Sequence, residues 1–361
     1  MARQVSLFTP TADWTPPNSL PDLSKYDEVA IDLETYDPLI MSHGPSWAFA
    51  DTGYITGIAI ATKDFNMYFP IQHEGGGNLD KNLVIKWMTK QMTYENDKVF
   101  HNSLYDMGWL KRYGIKVHGK IQDTMFAAPL IDENQYSYSL NNLGEKYCGE
   151  TKDETLLIEA AQAYGLNPKS EMYRLPAKYV GPYGEKDAGL TLQLWQVFKE
   201  LIKLENVGKI YDLETSLIPI LLDMRYKGVP VDLDVAEKVS KKLKKEEDTI
   251  LASIHKEFGV RPDLWAAQSV ATVFDRAGLS YPRTPKTNAP SFSGDWLESH
   301  DHKLANNIVR ARKLNKARTT FIDKMILEHN VKGRIHGELH PLRSDRGGTV
   351  TGRFSSSNPA L

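Results

Sequence analysis

Apolar residues in the first third of the chain come in short bursts separated by charged or glycine-rich turns, a pattern that predicts alternating strands and helices. The run DEVAIDLETYD predicts a strand, and YITGIAIAT and FNMYFPIQH predict two more about a charged turn at Lys63 and Asp64. HEGGGNLD punctuates them. A helix is expected through LVIKWMTKQM, a strand at KVFHN, a helix over LYDMGWLKRYG and another around DTMFAAPLI. The Pro-rich start TPTADWTPPNSLPDLS reads as an extended strap.

From about Glu185 onward helices dominate, with a break expected near Val207 and Gly208. In VDLDVAEKVSKKLKKEEDTILASIHKEFG, Asp232 marks a helix start, Val235, Val239, Leu243 and Ile250 recur on one side, and Gly259 marks the stop. WAAQSVATVFDRAG predicts a helix and YPRTPKTNAPS a turn-rich stretch. One long helix is expected over HKLANNIVRARKLNKARTTFIDKMILEH, then two short strands around GRIHGELHPLR and GGTVTGRFSS. The change of rhythm places a boundary between residues 205 and 215, and no repeat of 20 to 50 residues is apparent.

A length of 361 residues leaves room for at least two domains. With 41% hydrophobic and 25% charged residues the chain reads as an ordinary folded protein, not a disordered or membrane one. No apolar run approaches the roughly 20 residues a membrane helix needs. MARQVSLFTP lacks the features of a signal peptide. The single cysteine, Cys148, has no partner for an internal disulfide, so a reducing, cytoplasmic setting is expected. The net charge of -2 conceals an asymmetry: residues 1–200 carry 18 basic against 26 acidic side chains, and residues 201–361 carry 26 against 20. The excess gathers at the end, in Arg310, Arg312, Lys313, Lys316, Arg318, Arg334, Arg343, Arg346 and Arg353. Such a gradient suits an acidic, metal-dependent front and a back that meets a polyanion, or else plain solvated surface charge. The KKLKK run fits a solvated helix face equally well.

Candidate chemistry concentrates in the acidic front. Asp32 and Glu34 lie two apart on a predicted strand and so share a face. Two carboxylates held together repel unless a cation sits between them, which makes the pair plausible equipment for a hard divalent ion, although edge-strand acids are common without one. Asp106 falls just after the strand KVF, in the first turns of a helix. Asp187 follows Tyr183 by four residues, which puts both on one helical face if the helix has already formed at the tyrosine. Gly181, Pro182 and Gly184 leave that start open. The four acids suit two Mg2+ or Mn2+ ions for an in-line phosphoryl displacement, with Tyr183 orienting the attacking water rather than taking its proton. His101 reads as a hydrogen-bonded strand-end histidine or a ligand. HEGGGNLD lacks the ending of a phosphate loop, and HGPSW has no defined partner.

The ordered trio AIDLET, HNSLYD and YGEKD resembles the three motifs of the DEDDy class of 3′-to-5′ exonucleases. Asp32 and Glu34 match the first, Asp106 the second, and Tyr183 with Asp187 the third. KIQDTMFAAPLIDENQYSYSLNNLGEKYCGETKDE is similar to the helix-rich middle of the proofreading domain in phage-type family A DNA polymerases. The resemblance implies that Asp123 is a supporting acid and not a direct ligand. YDLETSLIPILLDMRYKGVPVD resembles the start of the polymerase domain, WAAQSVATVFDRAGL and RARKLNKARTTFIDKM resemble the thumb, and GRIHGELHPLRSDRGGTVTGRFSSSNPAL resembles the primer-template motif before the palm. The likeness covers about residues 25–361.

That resemblance implies an α/β, ribonuclease H-like exonuclease domain with a mixed sheet, followed by a mainly helical thumb-like polymerase segment. The corresponding division is a lead-in over 1–25, an exonuclease domain over 26–208 and the first part of a polymerase domain over 209–361. Two metal ions, a single-stranded DNA 3′ end, a primer-template and release of deoxynucleoside monophosphates are implied with it. Arg318, Arg353, Ser355, Ser356, Ser357 and Asn358 are the expected DNA contacts, through donors that suit phosphate and sugar. Leu361 precedes the palm aspartates and the fingers lysine of the family, so DNA-end hydrolysis without synthesis is expected of this chain alone. A truncated chain, a fragment, and one subunit of a split polymerase with a second polypeptide carrying palm and fingers remain open. A phage origin would place it in a bacterial cytoplasm. The rival readings are a stand-alone DEDD nuclease acting on RNA or DNA, and a non-catalytic DNA-clamping subunit.

Overall fold

Strand β1 (Glu28–Tyr36) is the middle of a five-stranded sheet and the strand on which the candidate chemistry hangs. Val29, Ala30, Ile31 and Leu33 are buried along it, as expected of a strand covered on both faces. After a short helix α1 (Ile40–His43), β2 (Tyr54–Ala61) pairs antiparallel with β1, and β3 (Asn66–Pro70) pairs antiparallel with β2. Helix α2 (Lys81–Gln91) leads to β4 (Asp97–Phe100), which lies parallel to β1. Helix α3 (Ser103–Arg112) leads to β5 (Ile121–Asp123), parallel to β4. The order β3-β2-β1-β4-β5 is the expected mixed sheet. Residues 9–345 and 347–360 are described in this computed structural model; the first eight residues of the lead-in, Arg346 and Leu361 lie outside them.

Four helices complete the front of the chain: α4 (Thr124–Ile131), α5 (Leu140–Cys148), α6 (Thr155–Ala163) and α7 (Ala177–Leu204). The last settles a point that the glycines and proline left open. It begins at Ala177, runs through Gly181, Pro182 and Gly184, and already includes Tyr183. Packing outweighs the poor local propensity. The Trp14 ring lies against Gly181, and its Nε1 donates to Glu185 Oε1 at 2.9 Å, so the lead-in straps the first turns of the helix. Tyr68, fully buried on β3, fills the slot between Gly57 of β2 and Gly184 of α7.

Helix α8 (Gly208–Lys227) follows α7 across the expected break. The described residues form two compact units. One runs up to Gly228 and resumes at His336; the other spans Val229–Ile335. The second is built from β6 (Val229–Pro230), α9 (Leu233–Phe258), α10 (Ala267–Arg276), α11 (Gly294–Ser299) and α12 (Lys303–Lys316), with β7 (Asn330–Val331) and β8 (Arg334–Ile335) pairing beside β6. Asp232 caps α9 by accepting from Val235 N–H, and Gly259 ends it in a left-handed turn, as the sequence predicts. Val270, Phe274, Leu304 and Ile308 anchor its core. The single long helix expected over this stretch differs in winding: beyond Lys316 it continues as a π-helix over Ala317–Glu328. That winding brings residues five apart onto one side, and Arg318 meets Asp323 at 2.8 Å there.

The segment from His336 packs back on the first unit. His336 Nδ1 meets Arg225 O at 2.7 Å, Arg225 Nη2 donates to Pro45 O at 2.8 Å, and the Asp345 carboxylate accepts from Ser137 Oγ and Tyr138 N–H. Its strands are β9 (Glu338–His340) and β10 (Ser355–Ser357), paired antiparallel. Only the last three residues of the run expected to be a strand at GGTVTGRFSS take that conformation. No helix among the described residues is long and apolar enough to cross a membrane.

The Tyr68 slot is a sharp test of this packing. A Cβ on Gly57 would stand 2.0 Å from the Tyr68 hydroxyl, which is held by His73 Nε2 at 2.7 Å. Gly57→Ala is therefore expected to destabilise the protein by about 1–3 kcal/mol, the usual cost of overpacking a closed core. Because Gly57 sits opposite Glu34 in the β1–β2 register, any strand shift reaches the acid site directly. Urea unfolding of the two proteins measures the difference, and equal midpoints would refute the account.

Candidate metal centre

Strands β1 and β4 pair only from Glu28 to Ala30 and then part. Beyond that point Leu33 has no partner on β4, and its N–H donates to Asp106 Oδ1 at 3.0 Å. The split opens a crevice at the carboxyl ends of two parallel strands, the usual place for a site in a sheet of this kind. Asp106 reaches it from the first turn of α3, whose start is fixed by Asp123. The Asp123 carboxylate accepts from Asn102 and Ser103 N–H at one helix start and from Met125 and Phe126 N–H at the next. It is a fully used structural acid.

Asp32 and Glu34 point to the same face of β1, and α7 lays Asp187 beside them. One carboxylate oxygen from each of Asp32, Glu34 and Asp187 lies within 4.8 Å of the others. Asp106 stands outside that trio but close enough for the Asp32 charge to act on it. Burial raises all four carboxyls above their ordinary range, and mutual repulsion adds to it for Asp32, Glu34 and Asp106. Asp32, the more exposed, is pushed up to about 7 by burial and by Asp187, against the pull of Lys152. Asp187 Oδ1 is buried without a hydrogen-bond partner. An orphaned oxygen among crowded carboxylates is a donor set shaped for a hard divalent cation, and these residues can hold one.

Tyr183 lies one turn before Asp187 on the formed helix, and burial followed by the nearby acids raises its hydroxyl far above its ordinary range. It stays a neutral phenol. Lys152, which no motif spacing marks, comes from the loop between α5 and α6. Its Nζ donates to Asp187 Oδ2 and, at 3.3 Å, to Tyr183 OH. Burial alone would lower the ammonium, but Asp187, Asp32 and Glu34 raise it. The one signal in the sequence was a lysine amid acids in GETKDE, a common surface pattern. His101 is a hydrogen-bonded strand-end residue: Nδ1 meets Thr124 Oγ1 at 2.8 Å, and burial holds the ring neutral, down at about 3.

Two cavities flank the centre. One of about 630 Å³ is lined by Lys152, Tyr183, Leu140, Leu157 and Met172. Another, of about 330 Å³, is lined by Lys152, His101, Tyr105, Arg225 and Glu338. Of the expected DNA contacts, Arg353, Ser355, Ser356, Ser357 and Asn358 belong to the first unit, in and beside β10, and Arg318 belongs to the second. Arg318, in the second unit, is paired with Glu247 and Asp323. Ser357 Oγ meets His340 Nε2 at 2.7 Å, and Ser355 Oγ accepts from Gly348 N–H. Ser356 lies between them on β10 and Asn358 just past it, while Arg353 is exposed. HEGGGNLD forms a turn in which Asn78 and the His73 backbone bond each other, and the HGPSW backbone carbonyls receive Arg225.

The raised carboxyls fix the sign of a pH effect. An Asp that titrates near 4 in the unfolded chain and near 7 when folded contributes stability that is full at low pH and lost between those values as pH rises. Without divalent ions, Asp32→Asn is expected to raise the melting temperature at pH 8 by roughly 2–5 °C over the parent and by less at pH 5. Thermal melts in chelator at the two pH values measure this; an equal shift at both would contradict it.

The comparisons agree with this architecture. A family model described as 3′-5′ exonuclease matches residues 14–203, and one described as DNA polymerase family A matches residues 233–361. A DNA-directed DNA polymerase of Pseudomonas phage M6 is 36% identical over 99% of this chain and 56% of its own length. The DNA polymerase DpoZ of Vibrio phage phiVC8 is 30% identical over 85% of this chain and 52% of its own. The chain thus spans about half the length of these relatives. Among solved structures, the POL domain of Pol1 from M. smegmatis, in complex with DNA primer-template and dNTP, superposes with a TM-score of 0.69 at 18% identity, covering 94% of this chain and 52% of that one. Its likeness shows the fold, a ribonuclease H-like α/β domain followed by a helical, thumb-like region. The chain belongs to the phage-associated family A DNA polymerases and carries their 3′–5′ exonuclease domain followed by the first part of the polymerase domain.

Proposed function

We propose that this chain removes nucleotides from the 3′ end of single-stranded DNA, releasing deoxynucleoside monophosphates, as the proofreading portion of a family A polymerase. The observation that carries the reading is the trio Asp32, Glu34 and Asp187 with the orphaned Asp187 oxygen. Asp106 completes a set of four for two Mg2+ or Mn2+ ions. These four acids would hold the ions, which would supply Lewis-acid activation of a water and stabilisation of the charge on the breaking phosphodiester. Tyr183, kept neutral, orients that water through its hydroxyl; a phenol held so far above neutral pH is a positioning group rather than a base. The cavity lined by Tyr183 and Leu157 takes the terminal nucleotide, with apolar side chains against the base and Lys152 near the phosphate.

On this reading residues 26–208 supply the nuclease and 209–361 the part that holds the DNA. The exposed Arg353 and the lysines Lys241, Lys244 and Lys245, which line one groove of the second unit, meet phosphates without reading sequence. Ser355, Ser356, Ser357 and Asn358 shape the loop that presents Arg353. Arg318, already engaged by two carboxylates, holds that groove's wall.

The direct test is degradation of a 5′-labelled single strand in Mg2+. The parent is expected to give a ladder of products shortened from the 3′ end. Asp32→Ala with Glu34→Ala is expected to lose about 10³-fold or more in rate, and Tyr183→Phe about 10- to 100-fold. Unchanged rates in the double variant would sink the assignment, and equal turnover of RNA would favour a processing nuclease. Binding to a primer-template should weaken steeply with salt, and each of Arg353→Ala and Lys244→Ala should lower the slope of log K against log salt by about one. A slope indifferent to both would remove these residues from the DNA surface.

A further inference from the structure

The acid centre already contains a cation of its own. The Lys152 side chain is 16% exposed, and the Asp187 carboxylate to which it donates is 4% exposed. Its ammonium also reaches the Tyr183 hydroxyl and lies 5.1 Å from the centre of that ring. A long surface lysine could swing there by chance, but this one is delivered by an anchored loop. The Lys152 N–H donates to Asn141 Oδ1 at 2.9 Å, and two residues earlier the Glu150 carboxylate is held by Lys186 and Gln193 of α7. The loop is therefore tied to the helix that carries both Tyr183 and Asp187.

One ammonium among Asp32, Glu34 and Asp187 offsets part of a repulsion that would otherwise push Asp187 out of the crevice. The same placement sets Lys152 against an incoming ion, because a hard divalent cation needs the Asp187 carboxylate that the ammonium engages.

We propose that Lys152 is a positioning residue that serves as the resident cation of the centre: it holds the Asp187 carboxylate and the Tyr183 hydroxyl in register before divalent ions bind, and it yields Asp187 to them on binding. Metal affinity is thereby set lower than the four acids alone would give, and the site stays assembled when empty. The inference rests on the metal-dependent reading above and goes beyond it by assigning a competitor within the chain.

The test is calorimetric titration of the full chain with Mn2+ in the absence of DNA, together with melting in chelator. Lys152→Met and Lys152→Gln are each expected to bind Mn2+ about tenfold tighter than the parent, since a full positive charge is removed from contact with a ligand. Both are expected to melt lower in chelator and to gain more from Mn2+. Lys203→Met makes the same charge change near the far end of α7, where Lys203 pairs with Glu200 on an exposed face, and is expected to change the affinity by less than about twofold. A merely structural lysine would give the opposite sign, weaker binding in a loosened site. Lys152 variants that bind Mn2+ no tighter than the parent, or no tighter than Lys203→Met, overturn this inference. If the parent takes up no Mn2+, or Asp32→Asn binds as tightly as the parent, the metal centre itself fails, and the inference with it.

Discussion

The structure turns on the crowding of like charge in a largely buried crevice. Asp32, Glu34 and Asp187 stand within one ion's reach of each other, and the charge of Asp32 reaches Asp106 as well. Such an arrangement is unfavourable by itself, because each buried carboxylate raises the cost of ionising the next. The rest of the first unit can be understood as the scaffold that holds these groups together against that repulsion. Chemistry benefits from the same tension, since a set of carboxylates that cannot all ionise alone becomes a strong ligand set for divalent cations.

The scaffold works by fixing backbone before side chains. The parting of β1 from β4 leaves an N–H that Asp106 takes up, so this acid is positioned by the main chain it serves. Asp123 spends its carboxylate on two helix starts and never joins the centre. Helix α7 approaches the sheet because Gly57 and Gly184 leave space for one tyrosine between them, and the lead-in closes over it through Trp14. Each device spends local conformational preference on a close contact, which is why the helix tolerates Pro182 in its early turns.

Much of this was legible along the chain. The period of the apolar residues located the first four strands and most of the helices, and the two-residue spacing of Asp32 and Glu34 required a shared face wherever they lay in a strand. The resemblance of three short motifs then tied Asp106, Tyr183 and Asp187 to the same chemistry. Less was legible where the pattern was too short to carry a period. Strand β5 has three residues, and the run GGTVTGRFSS looks like a strand although only its end pairs. The π-helical winding after Lys316 was equally hidden, because no periodicity of the run marks it, and the pairing of Arg318 with Asp323 five residues on is seen only in the folded chain.

By itself the sequence determined the α/β rhythm, the acids and their order, and the charge asymmetry between the two halves, because these depend on residue type and near-neighbour spacing. Only the tertiary structure decided that α7 is already helical at Tyr183, that Asp123 is consumed by backbone donors, that the segment from His336 returns to the first unit, and that Lys152 faces Asp187. Those outcomes depend on groups far apart in the chain meeting in a dry interior, where a single pairing can outweigh local propensity.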